Sequence, residues 1–378
     1  MNLNNFWDNV KKMALFKKYS FLEKLFEDKV RAGLDIGAFA VKAVVMKRTA
    51  KGWCLQKMGY REIERLSEEN EETNDGKIVQ AIRELWKNHS IKTKRVRLTL
   101  SDEALYTRHI SVPTVAEEEL KNAIKWQAEK YAPFAVENAV VDFQLLDSSI
   151  KKDENQMDIV LVAAEQKTID RYIDILEQCG LKPIVINISS FSVTKAVLKA
   201  MDIDKDEIIP VVDIGHKRTS IIVMRGESLF LVRNIDSGGS RITRCLQNGL
   251  HISEEEAENM KKGILFFPEE NDNSTTEKEY FSYIQEPLSE LAEQIDRSLA
   301  YCESSLAIEN IKRIVLCGGG ANFKGLKDFL SKKLNLRVEV MNSFKNTYIG
   351  KTQLDSSDGD EIIPKLTAAF GGVFDETD

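Results

Sequence analysis

The sequence predicts an α/β fold built from two similar halves, with a small α+β unit inserted into the first. Three observations carry that reading. First, residues 32–48 (AGLDIGAFAVKAVVMKR) and 210–226 (PVVDIGHKRTSIIVMRG) form a repeat. With Asp35 set on Asp213, Ile36 and Gly37 fall on Ile214 and Gly215, and Val45, Met46 and Lys47 on Val223, Met224 and Arg225. The offset, 213 − 35 = 178, is close to half of the 378 residues. Second, Lys312–Cys317 reads as a buried strand that runs into Gly318-Gly319-Gly320 and then an amphipathic helix, Leu326–Leu334. Third, residues 101–185 read strand–helix–strand–strand–helix–strand, the order of a compact α+β module.

In chain order the elements follow from pattern and punctuation. In residues 1–30, Phe6, Trp7, Val10, Met13 and Ala14 recur at helical spacing, and Ser20-x-x-Glu23 is a capping box before Leu25 and Phe26. Six lysines against four acidic residues give this stretch +2. It reads as a helix that docks on the body or frays, or as a basic amphipathic helix on an anionic membrane, and the small excess favours the former. Each D-I-G segment is a buried-type strand, a turn and a β-branched strand, hence a hairpin. An acidic loop at Leu66–Gly76 precedes a helix at Lys77–Asn88 and a strand at Arg95–Leu100. In the module a strand leads to Pro113, and Thr114-x-x-Glu117 caps a helix with Leu120, Ile124, Ala128 and Tyr131 on one face. Strands at Ala139–Leu146 and Asp158–Ala164 flank the polar turn Asp147–Gln156, and a helix at Lys167–Cys179 ends at Gly180, a good C′ residue. Past the second hairpin, residues 246–310 are helical, with amphipathic stretches at Ser253–Lys262 and Glu286–Leu306 around a polar segment, Pro268–Lys278. A strand at Leu336–Met341, a loop at Leu354–Asp360 and a helix at Lys365–Gly371, opened by Pro364, complete the chain.

Composition excludes several classes. The apolar fraction is 43% and the charged fraction 30%, as in an ordinary globular protein with a sizeable core. The net charge, 53 − 60 = −7, does not suit general nucleic-acid binding. No apolar run approaches the roughly 20 residues of a membrane span, and no secretory leader pattern is present. The five cysteines, Cys54, Cys179, Cys245, Cys302 and Cys317, show no C-x-x-C spacing, which points to a reducing compartment. The histidines His89, His109, His216 and His251 have no metal-ligand spacing to one another or to a cysteine.

The hairpins suggest a specific chemistry. Glycine lets backbone approach a ligand, and consecutive N–H groups in a tight turn make an anion-binding nest. An aspartate at the end of the preceding strand, Asp35 or Asp213, can hold Mg²⁺ through water. Two facing copies would clamp the phosphates of one nucleotide, whereas either copy alone reads as an ordinary hairpin. A strand, a glycine loop and a helix make a phosphate or nucleoside cradle. A dinucleotide fingerprint fails on spacing, since G-x-G-x-x-G from Gly318 needs glycine where Phe323 stands, and no Walker A motif occurs.

With these elements in place, the chain resembles the actin/Hsp70/sugar-kinase ATPase superfamily and, within it, the PilM family of type IV pilus assembly proteins, relatives of the cell-division protein FtsA. The stretches GLDIGAFAVKAVVM, AIKWQAEKYAPFAVENAVVDFQLL, LVAAEQKTIDRYIDILEQCGLKPIVI, GGSRIT, EEAENMKKG and LCGGGANFKGLKDFLSKKLNLRVEV carry the match. The resemblance implies an actin-like (ribonuclease H-like) duplicated two-lobe ATPase fold. Its first lobe would take residues 31–100, 186–207 and 365–378, and its second 208–245 and 311–364. Residues 246–310 would form a helical subdomain, 101–185 the inserted partner-binding subdomain, and 1–30 an N-terminal helical extension.

The resemblance also assigns residues. Asp35, Gly37 and Lys42 would form the first phosphate loop, with Lys42 reaching a phosphate; Asp213, Gly215 and Thr219 would form the second. Gly318, Gly319 and Gly320 would approach the adenosine. Glu258 and Lys261, one helix face apart at i, i+3, would lie beside ribose and purine, though on spacing alone they read as an exposed ion pair. In the inserted subdomain Trp126, Tyr131 and Phe134 would line a groove between helix and sheet for the cytoplasmic N-terminal peptide of a PilN-like inner-membrane protein, against the alternative of aromatic core packing.

Two departures bear on activity. Ala38, Phe39 and Ala40 offer no hydroxyl where the family's first loop carries Ser or Thr, and Asn187, Ile188 and Ser189 stand where acidic residues are usual. Neither a water-positioning group nor a general base is evident, and His216 reads as a surface imidazole. The expectation is therefore a cytoplasmic scaffold, peripheral at the inner membrane. It would bind ATP and Mg²⁺ with weak or absent hydrolysis, touch other pilus platform and motor proteins and bind no nucleic acid, with membrane contact through residues 1–29 left open. The alternatives are an active ATPase or small-molecule kinase of the same fold and an FtsA-like membrane-associated filament protein. A kinase lacks a placed acceptor-activating aspartate, and the tail from Phe374 is acidic where FtsA-like anchors are usual.

Overall fold

The structure, a computed structural model, describes residues 29–64, 71–101, 105–115, 117–132, 134–135, 138–146, 155–263, 275–305, 311–349 and 359–375. The N-terminal helix and its capping box lie outside the described residues, as do most of the turn at 147–156, most of the segment at 268–278 and nearly all of the loop at 354–360. Two compact units divide the chain: the first takes it up to Asp202 and again from Asn342, the second runs from Ile203 to Met341.

The first unit opens with three antiparallel strands, β1 (Val30–Ile36), β2 (Ala40–Thr49) and β3 (Gly52–Glu62). Helix α1 (Glu71–Asn88) then leads to β4 (Arg95–Leu100), which pairs parallel with β1. Strands β1 and β4 are buried along nearly their whole length, so that even their polar residues Arg31, Asp35, Arg97 and Thr99 are buried. Helix α1 starts at Glu71, not at Lys77, so residues 71–76 of the expected acidic loop are helical.

The module follows as β5 (Tyr106–Pro113), α2 (Glu117–Tyr131), β6 (Ala139–Leu145) and β7 (Gln156–Glu165), with strand order β5-β7-β6. Its core is Ile110, Val112, Leu120, Ile124, Ala128, Phe143, Ile159 and Leu161, the α2 face that the spacing marks plus the matching sheet face. Helix α3 (Gln166–Gln178) ends where expected, with Gly180 N donating to Glu177 O at 2.8 Å. The next strand, β8 (Lys182–Ile188), is the module's expected last strand, but it pairs parallel with β4. The small sheet is thus three-stranded: α3 is a crossover that carries the chain back to the large sheet. Helix α4 (Ser189–Ala200) follows.

The second unit repeats this plan. Strands β9 (Ile208–Ile214), β10 (Thr219–Arg225) and β11 (Ser228–Ile235) are antiparallel. Helices α5 (Gly239–Leu250), α6 (Glu254–Gly263) and α7 (Thr275–Ser305) come next, then β12 (Arg313–Cys317), α8 (Leu326–Leu334) and β13 (Arg337–Val340). The buried face of α7, including Ile284, Leu288, Leu291, Ile295 and Leu299, packs with Val212, Ile221 and Leu316 of the sheet.

From Asn342 the chain returns to the first unit. There β14 (Tyr348–Ile349) adds to β3, and helix α9 (Thr367–Gly371) packs on α4 and β1. The sheet orders are β14-β3-β2-β1-β4-β8 and β11-β10-β9-β12-β13. Apart from β14, each strand of one sheet has its counterpart in the other, with the same parallel and antiparallel relations to the central strand.

Candidate functional site

Both D-I-G segments fold as the repeat predicts. In the first, Gly37 N donates to Ala40 O at 3.1 Å; in the second, Gly215 N donates to Arg218 O at 2.8 Å. In each the aspartate stands one residue before the end of an inner strand: Asp35 is opposite Lys42, and Asp213 opposite Ser220.

In the first unit this register brings three expected residues together. Lys42 Nζ donates to Asp35 Oδ2 at 2.8 Å, both side chains being largely buried. The ammonium lies over the turn, since a Cβ on Gly37 would stand 2.7 Å from it. Phe39 O accepts from Ile63 N at 2.9 Å, which ties the loop to the end of β3.

In the second unit the loop is held by the start of α5. Gly239 N donates to Gly215 O at 2.9 Å, and Ser240 N to His216 O at 2.8 Å, so N–H groups without an intrahelical partner are spent on the loop. The approach is too close for a side chain at Gly238, whose Cβ would stand 2.6 Å from His216 O. Thr219 is fully buried and its Oγ1 donates to Ser237 O at 2.7 Å, so the hydroxyl braces this junction.

The triple-glycine bend reaches the same place through strand pairing. In the parallel β9–β12 pair Cys317 is opposite Asp213, so the next residue lands beside the aspartate. Gly318 has φ of 82°, and a Cβ there would stand 2.3 Å from Asp213 Oδ1 and 2.6 Å from Ile214 O. Only glycine fits both the torsion and the space. Gly320 packs on Ile214, whereas Gly319 faces open space. Asp213, Gly215 and Gly318 thus meet at the carboxyl ends of β9 and β12, the customary ligand position of open α/β sheets.

Glu258 and Lys261 form an ion pair at 2.6 Å, but a largely buried one. Lys261 Nζ also donates to Thr243 Oγ1 at 2.8 Å and to Gly239 O at 3.1 Å, and Thr243 Oγ1 donates to Glu258 Oε2 at 2.6 Å. Burial raises the Glu258 carboxyl, but the Lys261 charge and the hydrogen bonds from Lys261 and Thr243 outweigh it and hold the group below the carboxylate range. Burial lowers the Lys261 ammonium in spite of Glu258. His216, expected at the surface, is half-buried: desolvation, assisted by Lys261, pushes its imidazole down to about 4. The pair, His216, Gly239 and the second loop therefore form one cluster. Sequence reasoning missed Gly238, Gly239 and Thr243 as parts of it. All three lie in GGSRIT, a stretch that carries the resemblance but was given no role in the site.

Among the described residues no group of three or more His, Cys, Asp or Glu converges as a metal cage. Each loop by itself offers one carboxylate, and a single carboxylate suits at most a hard cation that keeps most of its waters. Of the two, Asp35 is already engaged by Lys42.

The partner candidates lie in the module but not alike. Trp126 is 71% exposed and points away from the face of α2 that covers the sheet. Trp126 is not among the residues packed between helix and sheet, so it lines no groove there. Tyr131 packs on the core and lies under Arg108, whose guanidinium is 4.3 Å from the ring centre. Phe134 is half-buried.

Comparison with known proteins matches the chain to a family model, type IV pilus assembly protein PilM, over residues 33–371. Cell division protein FtsA of Bacillus subtilis (strain 168) is 25% identical over 204 residues, 50% of this chain and 45% of that protein. The chain thus spans less than half the length of this curated relative. Among solved structures, a PilM-PilN type IV pilus biogenesis complex is 25% identical with a TM-score of 0.76, covering 91% of this chain and 99% of that one. MreB5 of Spiroplasma citri bound to AMPPNP is 13% identical with a TM-score of 0.50, covering 92% and 95%, a likeness of fold alone. The duplicated sheets are accordingly those of the actin-like α/β fold.

Proposed function

This chain belongs to the type IV pilus assembly protein PilM family, and on that premise we propose that it is a scaffold of the pilus assembly platform that holds a nucleotide and a partner peptide. The nucleotide is ATP with Mg²⁺. The convergence of Asp213, Gly215, Gly318 and the Glu258–Lys261 pair on one end of the second sheet carries this reading. Backbone N–H groups of the loop would meet phosphate, Gly318–Gly320 would admit the nucleoside, and Glu258 would accept from ribose hydroxyls. Asp35, Gly37 and Lys42 belong to the same reading, with Lys42 leaving Asp35 to meet a phosphate. The bound group would supply negative charge and rigidity; among the described residues the imidazole beside the loops, His216, is a weak base, because burial pushes it down to about 4. The nucleotide therefore acts as a structural ligand with weak or no hydrolysis.

The partner is the cytoplasmic N-terminal peptide of a PilN-like inner-membrane protein, bound on the inserted module 101–185 at Trp126, Tyr131 and Phe134. Likeness to the chain in the PilM-PilN complex supports it. The protein would work at the cytoplasmic face of the inner membrane beside other platform and motor proteins.

Calorimetric titration with Mg·ATP and a non-hydrolysable analogue tests the first part. Equal affinity and phosphate release at the buffer rate are expected; catalytic turnover would replace the scaffold reading with an active ATPase. A titration of short N-terminal peptides of inner-membrane pilus proteins tests the second, and no binding by the full chain would remove it.

A further inference from the structure

We infer that the amino-terminal edge of the first unit's large sheet docks on an anionic lipid surface, with Lys47, Lys51, Lys92 and Lys94 as contact groups. This needs neither the nucleotide nor the partner peptide, and its failure would leave both of those readings standing.

Strand pairing builds the edge. Arg48 N donates to Lys29 O at 2.7 Å, which sets the end of β2 beside the start of β1. Lys182 N donates to Lys94 O at 2.8 Å, which does the same for β8 and the residue before β4. Lys51 lies in the turn between β2 and β3, and Lys92 just ahead of β4. With strands about 4.8 Å apart, the edge from β3 to β8 is about 20 Å long. Residues 29–31, 47–52, 92–97 and 182 supply ten lysines and arginines and no aspartate or glutamate. Lys29, Lys47, Lys51, Lys92 and Lys94 are exposed and form no ion pair among the described residues. Asp375 reaches these strands, but it is held by Arg31 and Arg97.

The duplication supplies an internal comparison. The same edge of the second sheet also carries arginines, and acidic residues of that edge answer them. Arg225 pairs with Asp206 at 2.6 Å, and Arg313 with Glu207 at 3.0 Å and Glu339 at 3.3 Å. The architecture therefore does not itself call for uncompensated cations at this position. In a chain of net charge −7, the first edge is a local field of the opposite sign. Cations on neighbouring strands stand within one Debye length, about 8 Å at physiological salt, and so act together on a charged surface.

The way the chain enters this unit favours lipid over an acidic protein segment. Residues 1–28 lead into the edge at Lys29, and they combine Phe6, Trp7, Val10 and Met13 with lysines, a composition suited to a membrane surface. Their own excess of charge is small; the edge beside them supplies the rest. Val30, 39% exposed, adds an apolar residue among the lysines. Each cation held near an anionic bilayer strengthens binding several-fold.

The test is co-sedimentation of the full chain with vesicles of phosphatidylcholine alone and of phosphatidylcholine with about one-third phosphatidylglycerol. Binding is expected to the anionic vesicles only, and it weakens as salt rises. Lys47→Gln, Lys51→Gln and Lys94→Gln together lower it about tenfold or more. Lys327→Gln, Lys332→Gln and Lys333→Gln, exposed positions on α8, make the same change in net charge and leave it unchanged. Circular dichroism verifies the fold of both triple variants, and the salt and lipid dependence of the wild type tests the inference without them. Equal binding to neutral vesicles, full binding by the edge variant, or the same loss in both variants overturns the inference. So does a wild type that binds no vesicle; if poly-glutamate then captures the wild type and not the edge variant, the edge belongs to an acidic protein instead.

Discussion

Gly318 and Gly319 are neighbours in sequence and opposites in environment. A methyl at Gly318 meets a carboxylate oxygen and a carbonyl at a left-handed φ, whereas one at Gly319 meets nothing within 4 Å. Gly318→Ala is expected to lower stability by about 2 kcal/mol and Gly319→Ala by less than about 0.5 kcal/mol, measured by urea melts. His216 gives a prediction in pH. Its folded value, about 4, lies below the ordinary 6.5, so between these values the unfolded chain binds the proton and the folded chain does not. Its contribution is complete above pH 6.5 and is lost as pH falls toward 4. The urea midpoint of the wild type should therefore fall more between pH 7.5 and 4.5 than that of His216→Gln. Neither effect is legible in the sequence. G-G-G marks a bend without saying which glycine is indispensable, and D-I-G-H marks a turn without showing that folding desolvates the imidazole.

At the scale of elements, the module separates two aromatic residues that the sequence groups. Trp126 lies outside the packed face of α2, and Tyr131 sits on the core under Arg108. Trp126→Ala should change stability by less than about 0.5 kcal/mol while weakening the partner peptide about tenfold or more, as an exposed aromatic anchor would. Tyr131→Ala should cost about 2 kcal/mol of stability. Thermal melts with peptide titration separate the two outcomes, and an unchanged peptide affinity in Trp126→Ala would remove that residue from the docking surface. The apolar face of α2 and the glycine after α3 were local signals and were read correctly. The misplaced strand was not local. Lys182–Ile188 suits either sheet, and only pairing decides that it lies beside β4.

At the scale of the molecule, the first unit is closed by residues far apart in the chain. Asp375 receives Arg97 through two hydrogen bonds at 2.5 and 2.9 Å and Arg31 at 3.2 Å, while Phe374 meets Trp53 and Phe370 edge to face. Burial raises the Asp375 carboxyl, but Arg97, then Arg31 and Lys195, overcome it and hold the group below the carboxylate range. Its contribution is therefore full above the unfolded carboxyl value and is lost as pH falls through the lower folded one. Asp375→Asn leaves two buried guanidinium groups without their carboxylate. It should lower stability at pH 7 by about 2 kcal/mol, less than for a fully buried pair because Asp375 is partly exposed. A urea melt of the first unit's signal measures it, and an unchanged midpoint would make the clamp incidental. Periodicity and the spaced D-I-G repeat, by themselves, determined the α/β class, the duplication and the two loops, because buried strands and tight turns impose their patterns within a few residues. Only tertiary structure decided that Gly318 rests on Asp213, that Lys42 is spent on Asp35, that His216 is half-buried and that Asp375 locks onto β1 and β4. Those facts depend on which surfaces meet across tens or hundreds of residues, and a residue's charge state and free donors are set by the neighbours that folding brings.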